Sequence, residues 1–541
     1  MKPFRFFGKL LALVPLVAGL TACQGPTSDA LALTGQVAGV GDSQSKASHY
    51  AASRFLEQAS MGPSPDSVAQ VRALGMQAWI DAQIRMAPSQ ITTPATLYNY
   101  DNNDRTAQNR ADSFHTGKVH GLLVGGQDQL RLRTTWALSN FLVISVRKVQ
   151  PFGASEYFNV LQRQAFGSYA DLLKAVTLNP AMGFYLDNSQ NSRNQLNENY
   201  GRELMQLFSV GLVNLNLDGS VQRDAAGKPI ETYSQRDVIE ATRALTGWHW
   251  AEADQQRANS NFANYGKTMV PFWSDQHDTG SKTVLGKTIA AGQSAEKDLD
   301  SLIQILVTHP NTAPFVSLRL IQGLTTSNPS PSYLERVSKV FVQTGGQLDK
   351  VITAILMDAE ARLGDVPNAS PKGFGRIKDP LQLHTSLLRG LGCQSAVPQR
   401  GNPGNYWLNW NHNIFRAPSV FNFFPPNHRS PNSQLLAPEQ KTLTATEFSQ
   451  RLGDASYNLG DENNLLEAGC QIMPFKEAAA QGDAALAALI GERYFRGQMP
   501  ATITKGLLDG VRDYWERGNP MALTGAMMEM AMVSSTFGVS K

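Results

Sequence analysis

Apolar positions recur along most of the chain at the spacing of an α-helix. The clearest example is the segment 295–362, where Leu299, Leu302, Ile303 and Leu306 stand at positions i, i+3, i+4 and i+7. This spacing places the four side chains on one face of a helix. Three further amphipathic patterns follow before residue 362, so the segment predicts four consecutive helices that pack against one another.

A second segment is apolar around its whole circumference. Between residues 128 and 146, the positions Leu132, Trp136, Phe141 and Leu142 point in several directions from a common helix axis. A helix of this kind is buried on all sides. The pattern predicts a central helix, and the chain as a whole predicts a mainly α fold with many helices and long irregular loops.

Strand-like alternation is confined to one short stretch, residues 214–232. Leu215 and Leu217 alternate with polar residues, Asp218-Gly219 follows, and Val221 resumes the pattern. Alternating apolar residues on both sides of Asp-Gly are typical of a tight hairpin. We therefore expect a small β-hairpin inside an otherwise helical protein.

The first 22 residues have the layout of an export signal. Lys2, Arg5 and Lys9 accompany an apolar run from Leu10 to Gly19. A run of ten residues is too short to cross a bilayer, which takes about 20 residues, and it fits the apolar part of a secretory signal. We expect residues 1–22 to be removed on export.

The residues around the cleavage point add a membrane anchor. Leu20-Thr21-Ala22-Cys23 resembles the lipobox of bacterial lipoproteins, whose cysteine carries the lipid. Two or more acyl chains on Cys23 give lasting attachment. Gln24 rather than Asp follows the cysteine, so the resemblance to Gram-negative lipoproteins favours the outer membrane of the cell envelope, on its periplasmic or its outer surface. The alternative is an ordinary secretory signal followed by an accidental cysteine.

The mature chain divides into a tether and a globular part. Residues 23–48 are rich in Gly, Ser, Thr and Ala, which predicts a flexible tether after the lipidated cysteine. Residues 49–541 exceed the usual domain size of about 50–250 residues, so two lobes are expected, at 49–290 and 291–541.

Loss of residues 1–22 also changes the charge. The whole chain has a formal charge of +3, and the removed segment holds three basic and no acidic residues, so the mature protein is neutral. Nucleic-acid binding needs a basic patch or stripe, and we expect no nucleic-acid partner. Cys393 and Cys470 are then the remaining cysteines apart from Cys23. Outside the cytoplasm they can form one disulfide, and two free buried thiols are the alternative.

Several motifs occur in an order that resembles a known bacterial family, over about residues 52–440. They are Ala52-Ser53-Arg54-Phe55-Leu56, Leu130-Arg131-Leu132-Arg133, Asn197-Glu198-Asn199-Tyr200-Gly201-Arg202-Glu203-Leu204-Met205, Arg243-Ala244-Leu245-Thr246-Gly247-Trp248, His309-Pro310-Asn311-Thr312 and Arg416-Ala417-Pro418-Ser419-Val420-Phe421-Asn422. The family is known only as a domain of unknown function, DUF1800.

The resemblance implies an exported, mostly helical protein and no particular reaction. It also implies a protein partner, because the chain is similar to proteins often encoded beside a secreted relative of the phosphatase and sulfatase superfamily. Two positions depart from the family pattern. Gln206 stands where the family often has Glu, and Phe208 where some members have His.

The segment 197–206 holds the strongest candidate chemistry. On a helix Glu198 pairs with Arg202 and Asn199 with Glu203, each four residues apart. The two glutamates lie about 140° apart around the axis, so they do not both face one small site. One interpretation makes a carboxylate the acid or base, with Arg202 and Asn199 binding the ligand. The other is an internal ion-pair network.

Further candidates lie outside that helix. His277 and Asp278 stand in a polar loop flanked by glycine, as many functional residues do. Neither has a histidine or cysteine companion at metal-ligand spacing, so no metal site is expected. Arg243 is a candidate ligand-binding residue, with helix capping and ion pairing as the alternative. Arg416 and Asn422, beside aromatic residues, suit a cleft for sugars or peptides, or the packing of a long loop.

Two functions remain. The first is an acid/base enzyme of the hydrolase type acting on an extracellular polymer, preferably carbohydrate, with Glu198, Glu203, His277 and Asp278 as candidate catalytic residues. The second is a non-catalytic envelope protein that binds or escorts a secreted partner. The sequence indicates no cofactor for either. They differ in whether the candidates meet in one solvent-accessible cleft.

Overall fold

A computed structural model provides the fold of the chain. It describes residues 47–94, 97, 104–251, 265–271, 274–396, 398–399, 402–406, 414–449, 452, 459 and 461–541. The predicted signal 1–22, Cys23 and all but the last two residues of the predicted tether lie outside the described residues.

The described residues up to 363 form fifteen helices. They are α1 (His49–Ala59), α2 (Pro65–Leu74), α3 (Met76–Arg85), α4 (Arg105–Gly125), α5 (Gln129–Ser139), α6 (Pro151–Gln164), α7 (Tyr169–Thr177), α8 (Pro180–Tyr185), α9 (Glu198–Gln206), α10 (Gln235–Ala244), α11 (Ala295–Thr308), α12 (Thr312–Leu324), α13 (Pro331–Thr344), α14 (Leu348–Met357) and α15 (Ala359–Leu363).

The described residues from 380 onward, where 445–449 are also helical, add seven complete helices. They are α16 (Pro380–Gly390), α17 (Glu462–Glu467), α18 (Met473–Gln481), α19 (Asp483–Tyr494), α20 (Ala501–Gly510), α21 (Pro520–Met532) and α22 (Ser535–Gly538). Three antiparallel pairs of short strands accompany the helices: β1 (Lys282–Val284) with β2 (Lys287–Ile289), β3 (Arg376–Ile377) with β6 (Val539–Ser540), and β4 (Pro398–Gln399) with β5 (Asn402–Tyr406). The prediction of a mainly α fold is confirmed.

The four predicted helices of segment 295–362 are present as α11 to α14, and the short α15 follows them. Ser294 caps α11 by accepting a hydrogen bond from the Lys297 backbone N–H. Gly345 ends α13 in the left-handed conformation (φ 64°), which glycine adopts at low cost. Local signals therefore define both the beginning and the end of these helices.

The predicted central helix is also present, although it is shorter than its apolar pattern. All eleven residues of α5 are buried. The helix ends at Ser139, and the chain beyond it pairs with another segment: Ser145 forms a β-bridge with Arg416, and the Val146 N–H donates to the Phe415 carbonyl at 2.8 Å. This pairing with a distant segment takes residues that the apolar pattern assigned to the helix.

The hairpin segment folds back twice rather than once. Isolated bridges join Leu215 to Val221 and Arg223 to Pro229. The two turns between them contain Gly219 and Gly227, at φ 81° and 78°, where an L side chain would be strained. The predicted turn at Asp218-Gly219 is therefore accompanied by a second, and the pairing is too short to form regular strands.

The hydrophobic core consists of two apolar clusters, and the boundary between them does not lie at residue 290, where the two predicted lobes meet. Helices α11 to α14 pack into the same apolar cluster as α1 and α5 to α10. A second cluster is formed by residues 383–537, with Val124 of α4 as its contribution from the earlier chain. Residues 45–541 nevertheless form one compact unit. In the part of the chain that the structure describes, no helix is long and apolar enough to cross a membrane.

Cys393 and Cys470 lie in the second cluster. Their sulfur atoms are joined in a disulfide that spans 77 residues of sequence. Both cysteines are buried, with exposed fractions of 4% and 7%. The bond ties the loop after α16 to the loop after α17.

Candidate functional site

Helix α9 presents one apolar and one polar face. Its apolar side buries Tyr200, Gly201, Leu204 and Met205. Gly201 is required for the close approach of α10, because a Cβ atom there would lie 2.5 Å from the Thr242 hydroxyl oxygen. The other side carries the polar residues that we call the α9 face: Glu198, Asn199, Arg202, Glu203 and Gln206.

Glu198 and Arg202 pair with each other at the beginning of this face. The guanidinium group of Arg202 donates to the Glu198 carboxylate at 2.7 Å. Gln235, the first residue of α10, donates to the same carboxylate oxygen at 2.8 Å and accepts from Arg202 at 3.0 Å. The two charged side chains are 33% and 39% exposed. Glu198 is thus a paired carboxylate close to solvent.

Glu203 has a different environment. Its Oε2 atom is buried and has no hydrogen-bond partner among the residues that the structure describes. Burial raises the pKa of the Glu203 carboxyl above its ordinary value of 4.5, and the positive charge of Arg202 offsets only part of this rise. A half-buried carboxyl with a raised pKa and a free oxygen can both donate and accept a proton.

Two tyrosines stand close enough to sense the charge of Glu203. Burial, and then the negative charge of Glu203, raise the pKa of Tyr185. Burial raises the pKa of Tyr233 as well, with Glu203 adding to the rise and Arg202 opposing it. The Tyr233 hydroxyl donates to the Gln206 side chain at 3.1 Å. Both tyrosines are half-buried.

A third group of polar side chains borders the α9 face. Asn199 donates to the Asp187 carboxylate at 3.1 Å, and Lys148 pairs with the other oxygen of that carboxylate at 2.6 Å. Lys148 also donates to the Tyr185 carbonyl at 3.0 Å. Asp187 has a left-handed backbone (φ 62°), which is uncommon for a residue other than glycine and often marks a functional turn.

The two positions that depart from the family pattern lie at the end of α9. Gln206 belongs to the α9 face, next to Tyr233. Phe208 is buried, and its ring centroid lies 6.3 Å from that of Tyr200. An imidazole at position 208 would therefore face the core, whereas a carboxylate at position 206 would join Glu203 on the polar side.

His277 lies in the interior rather than on an open loop. Its Nε2 atom is 3.1 Å from a carboxylate oxygen of Asp298 at the start of α11, and its Nδ1 atom is 2.9 Å from the Thr246 carbonyl. The same oxygen of Asp298 accepts from the ammonium group of Lys282. His277, Lys282 and Asp298 are 3%, 0% and 0% exposed at their side chains. The histidine thus belongs to a buried structural network.

Asp278 is also held by ionic contacts. Arg243 donates to both of its carboxylate oxygens, at 2.7 and 3.1 Å, and pairs with Glu240 at 2.8 Å. The hydrogen bonds from Arg243, aided by the Gly280 N–H, hold the pKa of Asp278 below its ordinary value. This bidentate pair links α10 to the loop before β1. Asp278 and Arg243 therefore form an ion pair that stabilises the fold.

Arg416 and Asn422 lie in a third region of the molecule. Arg416 pairs with Asp112 of α4 at 2.6 Å. Asn422 is buried, has φ 58°, and donates to the Asn140 side chain at 2.7 Å. These contacts fasten the loop 414–422 to α4 and to the chain after α5. The alternative of loop packing therefore describes these two residues.

The candidate residues do not meet in one cleft. Glu198 and Arg202 contact the first residue of α10, whereas Asp278 contacts Arg243 near its last residue. Eight residues of helix separate these contacts, or about 12 Å along the axis. Within the described ranges, no group of three or more His, Cys, Asp and Glu side chains is arranged to hold a metal ion. Of the four candidate acids and bases, Glu203 alone keeps a buried carboxyl oxygen unpaired.

The sequence missed four residues that border the α9 face: Lys148, Tyr185, Asp187 and Tyr233. They come from three separate parts of the chain and share no motif with segment 197–206. One signal was present for Asp187, which follows the short helix α8 in the sequence Leu-Asp-Asn, because Asp and Asn tolerate the left-handed conformation at helix ends.

These features define the class of protein: a mainly helical protein with two apolar clusters, one disulfide, and a polar helix face built around one desolvated carboxyl. The chain belongs to the family described as Protein of unknown function (DUF1800), whose profile matches residues 54–539. Searches of the curated proteins and of the solved structures found no match to the chain.

Proposed function

We propose that the protein is exported and anchored by lipid at Cys23 to the bacterial cell envelope, at the outer membrane. The basic and apolar residues of segment 1–22 and the lipobox before Cys23 support export and lipidation. The Cys393–Cys470 disulfide supports it independently, because such bonds persist in oxidising compartments and are rare in the cytosol.

Cell fractionation tests this proposal. The wild-type protein should appear in the outer-membrane fraction and take up labelled palmitate. A Cys23→Ala variant should lose the label, while a Cys393→Ala variant should keep it. Recovery of unlabelled wild-type protein from the cytoplasm, with both other cysteines reduced, would contradict the proposal.

We further propose that the α9 face binds a hydroxyl-rich polymer, preferably carbohydrate, and that Glu203 is the acid and base of a hydrolytic step. The single observation that carries this proposal is the buried, unpaired oxygen of Glu203. Burying such a group without a partner costs stability. Asp298 and Glu439 also have one unpartnered oxygen each, but both are ion-paired, whereas Glu203 forms no ion pair within the described chain. Raised carboxyl pKa values are typical of general acids, which must keep their proton near neutral pH.

The neighbouring groups suit the same ligand. Tyr185 and Tyr233 offer aromatic surface, and Asn199, Arg202 and Gln206 offer hydrogen-bonding groups for hydroxyls. In the proposed step, protonated Glu203 gives its proton to the leaving oxygen as the carbon–oxygen bond breaks. Water supplies the oxygen of the new bond at the carbon, and its proton restores Glu203.

A matched pair of variants tests the hydrolytic role. Purified protein is incubated with xylan, alginate, carboxymethylcellulose and peptidoglycan, and the new reducing ends are counted. Glu203→Gln should lower the rate on the polymer that is cleaved by at least about 100-fold. Glu335→Gln alters a partly exposed glutamate on α13 and should leave the rate of cleavage unchanged. Equal rates in the two variants would exclude Glu203 as the acid.

A second candidate function follows from a different observation. His277, Asp278 and Glu198 all have ionic partners, so the described structure offers few spare groups for catalysis. This favours a non-catalytic envelope protein that binds a polymer or escorts a secreted partner of the phosphatase and sulfatase superfamily. Polymer binding that weakens in Glu203→Gln, with no cleavage by the wild type, would support this candidate. Absence of both binding and cleavage would reject the polymer ligand.

A further inference from the structure

A cleft of about 460 Å³ opens on a part of the surface that the α9 face does not include. Four chain segments line it: 327–328, 370–377, 430–437 and 539–541. Volumes of roughly 300–1,000 Å³ are typical of pockets for small ligands. None of its lining residues belongs to the α9 face or to its neighbours, so the cleft stands independently of the proposed function.

The walls of the cleft are held in place by hydrogen bonds. Asn328 and Leu436 exchange two bonds across it, at 2.8 and 3.0 Å, each between the side chain of Asn328 and the backbone of Leu436. Thr326 accepts from the Gly375 N–H at 2.9 Å, and the Ser327 N–H donates to the Gly375 carbonyl at 3.0 Å. A cleft with such walls is preformed, which lowers the cost of binding.

Several lining groups have hydrogen-bonding capacity left over. The hydroxyls of Ser327, Ser370 and Ser430 form no hydrogen bond within the described chain, although each lines the cleft. The ammonium group of Lys372 has no ionic partner there either. Three hydroxyls and one ammonium group thus remain available to a ligand.

The charge of the lining side chains has one sign. Of its sixteen lining residues, three are basic, namely Lys372, Arg376 and Lys541, and no side chain is acidic. Arg376 is buried and its charge is balanced by Glu439 at 2.8 Å, and the backbone carboxylate of Lys541 offsets its own ammonium group, so Lys372 is the unbalanced charge that a ligand would meet. Phe374 and Leu435 add apolar surface.

We propose that this cleft is a binding site for a small anionic ligand that carries a carboxylate, phosphate or sulfate group. Lys372 pairs with the anion, while the serine hydroxyls donate to its oxygens or to hydroxyls on the ligand body. The apolar wall takes the uncharged part of the ligand.

Calorimetric titration of the full-length protein in detergent tests the proposal at constant ionic strength. The probes are inorganic phosphate, inorganic sulfate, D-glucuronate and, as a neutral control, glucose. We expect at least one of the three anions to bind and glucose to bind more weakly. Tighter binding of glucuronate would identify the ligand as a sugar acid. Tighter binding of phosphate or sulfate would indicate that the ligand carries that group.

Two variants and one control locate the binding. Lys372→Ala should lower the affinity for the anion by about tenfold, because a charge-assisted hydrogen bond is lost. Lys287→Ala removes an exposed lysine of β2, outside the cleft, and should leave affinity unchanged. Ser430→Trp should fill the cleft and abolish binding while the unfolding transition is retained.

Either of two results would overturn the proposal. One is that none of the three anions binds at about 10 mM. The other is equal affinity in Lys372→Ala and Lys287→Ala, which would mean that the anions bind elsewhere. Neither result bears on Glu203, because the two sites share no residue.

Discussion

Helix α9 and the buried network of His277, Lys282 and Asp298 both hold acidic and basic side chains, yet their environments differ. In the buried network the carboxylate of Asp298 meets a histidine and a lysine in the interior. On the α9 face, Glu203 is half-buried and forms no ion pair within the described chain, although each of the two carboxyls has one buried oxygen without a hydrogen-bond partner. Residue type alone does not separate these two cases.

This difference provides a way to separate candidate residues that stabilise the fold from those that are kept for a ligand. A buried ion pair whose partner is removed leaves an uncompensated charge, so a paired residue shows itself by a large loss of stability. A residue kept for a ligand is commonly held at some expense of stability, so its neutralisation is close to neutral or stabilising. Unfolding free energies of matched variants therefore measure the distinction directly.

The largest effect is expected at Asp298. Asp298→Asn leaves the fully buried ammonium group of Lys282 without its carboxylate, which should lower the free energy of unfolding by about 3–5 kcal/mol. Urea unfolding at pH 7 measures the loss. The control is Asp300→Asn on the same helix, whose side chain is 56% exposed and which should change stability by less than about 0.5 kcal/mol. A loss below about 1 kcal/mol for Asp298→Asn would mean that the buried network does not differ in stability from the α9 face.

A smaller loss is expected at Asp278, which is one-fifth exposed. Asp278→Asn weakens two charge-assisted hydrogen bonds from Arg243 and should cost about 1–3 kcal/mol at pH 7. Because the folded-state pKa of Asp278 is depressed, its contribution is present above pH 3.8 and is lost as the pH falls below that value. Urea unfolding from pH 7 to 3 should show the wild type and the variant converging in acid. A constant difference would contradict the ion pair.

Glu203 should behave in the opposite sense. Glu203→Gln should change the free energy of unfolding at pH 7 by no more than about 1 kcal/mol, and in the stabilising direction. The folded-state pKa is raised, so the wild type gains stability as the pH falls from neutral toward 4.5, and the advantage of the variant shrinks with it. Urea unfolding at pH 7 and pH 4.5 measures both. A loss of several kcal/mol would assign Glu203 to a structural pair.

The smallest effect is expected at Gln206. Gln206→Glu places a second carboxylate three residues after Glu203, as the family often has it, and the like charges should cost about 0.2–0.5 kcal/mol at pH 7. The same repulsion should raise the pKa of Glu203 further. Carbon-13 chemical shifts of the Glu203 carboxyl across a pH titration measure that rise. An unchanged midpoint would mean that position 206 does not face Glu203.

The helices of segment 295–357 illustrate what local patterns predict well. Their apolar spacing, the cap at Ser294 and the glycine after α13 are all encoded within a few residues. The central helix was predicted with the right burial and the wrong length, because Ser145 and Val146 pair with a segment about 270 residues away. No pattern within the helix itself carries that information.

The candidate site was predictable in part. The motif 197–205 identified Glu203 and its neighbours Asn199 and Arg202 on one helix. The motif did not distinguish the paired Glu198 from the unpaired Glu203, and the sequence placed His277 in a polar loop without showing that it is buried. These distinctions depend on residues from other parts of the chain: Gln235 pairs with Glu198, and Asp298 pairs with His277.

The sequence by itself determined the helical class, the beginnings and ends of many helices and the family, because periodicity, caps and motifs are local properties of the chain. Only the tertiary structure decided where the core divides, which candidate carboxyl stays unpaired, and that a basic cleft forms between segments 327–328 and 430–437. Burial and pairing depend on residues far apart in the chain, and the free energy of a charged group depends on those neighbours more than on its own identity.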